Sequence, residues 1–181
     1  KYMIYHKKIA ASDTFLKTIK KYDGIVLFGT GNLGKIVLTA LEKAKIKIIA
    51  IADNNESNWG KTWNGYKVMS NTQLGDTRNK YPVIIASFNF PYMKRQLEEI
   101  GIENYFDSDF LFSEFKIDLN KCNTGWSPER CKEQLDLYIY SVNAPREINN
   151  VYLNSIDLVL TEKCSLKCKD CSNLMQYYAK P

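Results

Sequence analysis

The sequence predicts an α/β protein in which a parallel sheet is covered by helices on both faces. Three observations predict it. Short apolar runs recur at 24–28, 47–52, 83–87 and 104–107. Segments with helical apolar spacing separate them, and a glycine-rich turn joins the first run to the first of those helices.

The elements follow in order. Residues 12–22 read as a short amphipathic helix capped by Ser12 or Asp13. The run 24–28 ends at a glycine, as a buried strand would. From 32 to 45, Leu33, Ile36, Val37, Ala40, Leu41 and Ala44 share one helical face. The run 47–52 ends at Asp53, and a polar loop with Gly60 and Gly65 follows. A third strand at 83–87, a helix at 91–100 closed by Gly101, and a fourth strand at 104–107 continue the alternation. After about Ser113 the rhythm breaks. Ser127-Pro128-Glu129-Arg130 supplies a cap, a proline at the first helical position and an acid in the first turn, so a helix is expected to about Val142. Residues 151–161 then read as a new strand. The expected organisation is a helical extension (1–21), a nucleotide-binding α/β domain (22–115), a helical linker (116–150) and the start of a second domain (151–181).

Composition sets bounds. Apolar residues make up 45% and charged residues 25%, an ordinary globular balance. The net charge of +5 is scattered and admits an anionic ligand. No basic tract with interleaved aromatics appears, so no strong nucleic-acid signal is expected. No apolar run is long enough to span a bilayer, so no membrane partner and a cytoplasmic location are expected. Five cysteines suit metal ligation or free thiols better than a closed disulfide framework. His6 is the sole histidine, so no catalytic acid or base can be identified in the main domain.

Gly29-Thr30-Gly31-Asn32-Leu33-Gly34 stands between a strand and a helix, the context that gives G-x-G-x-x-G its meaning. The first glycine makes the turn, the second lets a phosphate approach the backbone, and the third lets helix and strand pack closely. Asp53 follows nineteen positions after Gly34, where a carboxylate can accept from ribose hydroxyls or cap the turn at Asn54-Asn55. The candidate binding residues are therefore Gly29, Thr30, Gly31, Asn32, Leu33, Gly34 and Asp53. The same glycines would also suit a turn that binds nothing. Ser87, Phe88 and Asn89 at the third strand end are further candidate contacts, and Trp59 or Trp63 could stack on a ring. With Ala52-Asp53-Asn54-Asn55 and the segment 60–68, this region resembles the Rossmann-like domains of bacterial polysaccharide and sugar-modification proteins. That resemblance implies a site for NAD or a UDP-sugar. No Tyr-x-x-x-Lys pair occurs, so a self-sufficient dehydrogenase is not expected.

Cys164, Cys168 and Cys171 form a C-x3-C-x2-C run directly after the 151–161 strand. Three thiolates on one short loop can hold three corners of an iron–sulfur cubane. A four-thiol zinc site remains open, with Cys122 and Cys131 as distant additional ligands. The segment 154–172 resembles the first strand and cluster loop of radical S-adenosylmethionine enzymes, although Asp170 stands where that family often has an aromatic residue. The resemblance implies the opening of a partial TIM-type barrel and a [4Fe–4S] cluster on the three cysteines. It also implies S-adenosylmethionine cleavage to a 5′-deoxyadenosyl radical, an electron donor, and a small-molecule or nucleotide-sugar substrate. Only ten residues follow Cys171. The whole enzyme is therefore expected to be an oxidoreductase of which this chain is an inactive N-terminal part. The alternatives are an NAD- or nucleotide-sugar-binding module with a structural zinc-type site, or a zinc-stabilised interaction domain.

Overall fold

The computed structural model describes residues 15, 17–78 and 80–143. Among these residues six strands form one sheet in the order β3-β4-β2-β1-β5-β6. They are β1 (Ile25–Phe28), β2 (Ile48–Ala52), β3 (Thr62–Trp63), β4 (Tyr66–Met69), β5 (Val83–Ile85) and β6 (Tyr105–Asp107). All neighbouring pairs are parallel except the β3–β4 hairpin. The helices are α1 (Asn32–Lys43), α2 (Asn71–Asp76), α3 (Phe90–Glu99), α4 (Asp109–Glu114) and α5 (Pro128–Asn143). This is a mixed α/β architecture of Rossmann-like type.

The central strands are apolar along their whole length because both faces are covered. Ile25, Val26, Leu27, Phe28, Val83, Ile84 and Ile85 are all fully buried. β1 lies between β2 and β5, with Phe28 in register with both Ala52 and Ile85. The carboxyl ends of three strands therefore meet at the place where successive connections leave toward opposite edges of the sheet. Crevices at such a point are where open α/β sheets bind ligands.

Two strands and two short helices lie where the sequence suggested only loop or the end of the rhythm. Asn64 and Gly65 have φ of +46° and +83°, the positive pair that a tight hairpin turn needs. They fold Trp63 back onto Tyr66. β4 then pairs with β2, although Val68 is its only fully buried residue. Ser70 and Gln73 close a capping box at the start of α2. The helix at 128–143 packs onto this core. Tyr138 is fully buried, and its hydroxyl accepts from the Ser108 amide at 3.1 Å and the Ser108 hydroxyl at 3.0 Å. Burial drives the Tyr138 phenol far above its ordinary pKa, so the hydroxyl stays neutral.

The expected barrel strand and the cysteine loop fall within 151–181 and lie outside the described residues. Among the described residues the strands make one open sheet and no part of a barrel. Among them, too, no helix is long and apolar enough to cross a membrane.

Candidate functional site

β1 ends at Phe28, and the chain turns at once into α1. Gly29 has a φ of +123°, and a Cβ there would stand 2.6 Å from the Ala86 carbonyl oxygen. Only glycine fits that turn. A Cβ on Gly34 would stand 2.2 Å from the Gly29 carbonyl oxygen, so helix and turn touch backbone to backbone. Gly31 differs from both. Its φ is an ordinary −68°, and a Cβ there would meet nothing within 4 Å.

Gly31 is also the N-cap of α1, with no side chain capping the helix and no acid in its first turn. The first intrahelical bond is made by the Lys35 amide to the Gly31 carbonyl at 3.1 Å. The amides of Asn32, Leu33 and Gly34 thus have no carbonyl one turn earlier to bond, and the positive end of the helix dipole accompanies them.

A cavity of about 550 Å³ opens over this turn. Gly29, Thr30, Gly31, Asn32, Leu33 and Asp53 line it, while Gly34 lies beneath the turn as packing. Ser87, Phe88 and Asn89 line it as well. Five further residues complete the lining: Asn54, Ala86, Tyr92, Met93 and Trp126. Tyr92 sits in the first turn of α3, the helix that follows β5, a placement the strand-then-helix pattern makes legible. Trp126 comes from a loop far along the chain, and no local pattern announces it. Trp59 and Trp63 do not line the cavity. The Trp59 indole N–H donates to the Asp53 carbonyl at 2.6 Å, and Trp63 packs beside Gly34.

Asp53 holds the turn. Its Oδ2 accepts from the Thr30 amide at 2.7 Å and from the Thr30 hydroxyl at 2.5 Å. Its Oδ1 accepts from the Asn55 amide at 2.7 Å. Asn58 Nδ2 donates to the Thr30 hydroxyl at 3.1 Å, extending the network. The carboxylate therefore uses three of its roughly four acceptor positions inside the protein. Asp53 thus caps the turn at Asn54-Asn55 and also lines the cavity.

Cys122 and Cys131 are buried with Ile36 in a small satellite cluster. Burial raises the Cys122 thiol pKa, and the Thr124 hydroxyl lies 3.1 Å from Cys131 Sγ. Among the described residues no three metal-ligating side chains converge, so the two cysteines do not extend to a zinc site there. Cys164, Cys168 and Cys171 lie outside the described residues.

Residues 11–106 match the family described as C2185-like, N-terminal. A comparison with curated proteins finds no significant match. Among solved structures, RSP, a Rex-family repressor, is similar at 19% identity, with 77% of this chain and 68% of that chain covered and a TM-score of 0.39. RSP in complex with beta-NAD+ and operator DNA is similar at 18% identity, over 76% of this chain and 66% of that one, with a TM-score of 0.39. RSP in complex with beta-NADH is similar at 19% identity, over 76% and 70%, with a TM-score of 0.38. Likenesses this loose assign no activity.

The family match corrects the radical-enzyme expectation. No radical S-adenosylmethionine family matches, and the matched family covers the glycine-turn domain instead. The iron–sulfur oxidoreductase, its [4Fe–4S] cluster, S-adenosylmethionine, the electron donor and the substrate all fall with that assignment. The physical reason is that a short cysteine run fixes ligand spacing without fixing the fold around it. The expectation of no strong nucleic-acid signal is corrected too: a net charge of +5 that is scattered along the chain does not exclude a nucleic-acid partner.

Proposed function

The chain belongs to the C2185-like N-terminal family, and from that footing we propose that its glycine turn binds the pyrophosphate of a dinucleotide, NAD, as a binding module without chemistry of its own. The observation that carries the reading is Gly31. It caps a twelve-residue helix, it faces open space, and neither a capping side chain nor an acid competes for the amides behind it. An oxyanion is the complement of that arrangement.

Each candidate residue has a role in this reading. Gly29 makes the turn and Gly34 seats the helix against it. Gly31 admits the phosphate to the amides of Asn32 and Leu33. Thr30 and Asp53 hold the loop in shape, and the Asp53 charge disfavours a ribose carrying an extra phosphate. The cavity extends to both sides of the turn, toward Asp53 and Asn54 on one and toward Phe88, Tyr92 and Trp126 on the other. A ligand with a ring at each end of a pyrophosphate uses both sides, whereas a nucleotide-sugar would place a polar sugar against the aromatic side.

Thermal unfolding with NAD+, NADH or a UDP-sugar tests the reading. At ~100 times its dissociation constant a ligand of the folded state adds about 2.7 kcal/mol, a rise of several degrees in the midpoint. No rise with any of the three would refute the proposal. A rise with the UDP-sugar alone would move the ligand class.

A further inference from the structure

Asn54, which lines the cavity, pairs with Gln96 of α3. Asn54 Nδ2 donates to Gln96 Oε1 at 2.9 Å, and Gln96 Nε2 donates back to Asn54 Oδ1 at 2.9 Å. The two carboxamides thus form a closed reciprocal pair. Asn54 follows directly on the end of β2, whereas Gln96 sits on α3, beyond β5. β1 lies between those strands, so the pair links the segments that follow its two neighbours in the sheet.

A carboxamide edge offers one donor beside one acceptor, which is the pattern shown by adenine at N6 and N7 and by uracil at N3 and O4. In the free protein Gln96 supplies that pattern to Asn54. Exposed hydrogen bonds of this kind add little net stability, because water replaces them easily. The pair is therefore well formed but cheap to open. Asp53, the neighbouring polar group, is already committed to Thr30 and Asn55. The polar edge left to meet a base on this side of the cavity is that of Asn54.

Resting on the nucleotide reading above, we infer that the Asn54 carboxamide reads the base edge of the bound nucleotide, with Gln96 as its place-holder in the empty site. Binding exchanges one paired edge for another, so a base is accepted only when it repeats the donor–acceptor order that Gln96 presents. Gln96 acts on the ligand only through Asn54, as the competitor that binding displaces.

The test is calorimetric titration of the unaltered chain, Asn54→Ala and Gln96→Ala with matched probes. These are NAD+ against its hypoxanthine analogue, in which the N6 donor becomes an acceptor, and UDP against N3-methyl-UDP, which has lost the N3 donor. The unaltered chain should prefer the unmodified base of the pair it binds by about tenfold, the scale of one bidentate amide–base contact. Asn54→Ala should lose that preference and bind about tenfold more weakly. Gln96→Ala should keep the preference and bind a few-fold more tightly, which loss of a merely structural brace would not produce. Equal affinity for a base and its modified form, or a preference that survives Asn54→Ala, would overturn the inference and leave the nucleotide reading standing. Failure of the unaltered chain to bind any of the four probes would overturn both.

Discussion

Thr30 donates twice to one oxygen of Asp53, through its amide at 2.7 Å and its hydroxyl at 2.5 Å. The acid that ends β2 therefore acts first as a clamp on the glycine turn that ends β1. Thr30 is itself almost fully buried, and both residues line the cavity, so the clamp forms part of its wall.

A clamp and a pure ligand contact predict different outcomes on mutation. Asp53→Ala removes an ionised acceptor from three donors and should lower unfolding stability by about 2–3 kcal/mol. Thr30→Val keeps the amide bond and loses only the hydroxyl contacts, so about 1 kcal/mol is expected. The two losses should be non-additive, because the side chains share one hydrogen bond. Urea unfolding of both variants and the double variant measures this. Unchanged stability in Asp53→Ala would remove the clamp.

Gly34→Ala is expected to destabilise despite alanine's better helix propensity, which by itself would favour the variant by about 1 kcal/mol. The added methyl would stand 2.2 Å from the Gly29 carbonyl oxygen, and backbone on both sides has nowhere to move. A net loss of about 2–4 kcal/mol follows from overpacking of this kind. A thermal midpoint equal to or above that of the unaltered chain would show that the helix and turn are not in close contact.

The glycine turn could be read from sequence because its physics is local. A tight turn, an exposed helix start and an acid at the next strand end all leave marks within a few residues. The outer strand was harder to see. Tyr66–Met69 has only Val68 fully buried, so it lacks the apolar run that identifies a central strand. Its real signal was Asn64-Gly65, a hairpin dipeptide between two aromatic residues. On the cavity's far side Phe88 was legible from the strand end, whereas Trp126 left no mark, since it reaches the cavity through tertiary packing. The cysteine run misled in the opposite direction: its spacing suits a cluster, but spacing alone names no family.

Tyr138→Phe separates ring packing from hydrogen bonding. The ring meets Phe88 and Phe90 edge to face, at 5.8 and 6.3 Å between centroids, and phenylalanine keeps those contacts. Ser108, fully buried, would lose the acceptor for both its amide and its hydroxyl. A loss of about 1–3 kcal/mol is expected from denaturant unfolding. Since Phe88 lines the cavity, nucleotide affinity should change little while its ring stays in place.

Tyr105 ties stability to alkaline pH. Burial, then the hydrogen bond to Glu98, then the charges of Glu98 and Asp107 raise its phenol from 10.0 to about 12. The folded state therefore holds the proton to higher pH than the unfolded chain does. The resulting stability is fully present below pH 10 and is lost as the pH rises toward 12. Urea midpoints between these limits should fall more steeply for the unaltered chain than for Tyr105→Phe. Parallel slopes would contradict the assignment.

On the dinucleotide reading, Gly31 is the residue that leaves room for the phosphate at the start of α1. Calorimetric titration of NAD+ into the unaltered chain and Gly31→Ala, with thermal unfolding of both, tests it most directly. The added methyl meets no protein atom within 4 Å, and the backbone angle suits alanine. Stability should fall by no more than about 1 kcal/mol, the cost of alanine at a helix N-cap, while NAD+ affinity falls at least tenfold. Equal affinity in the two proteins, or no binding to the unaltered chain, would contradict the account.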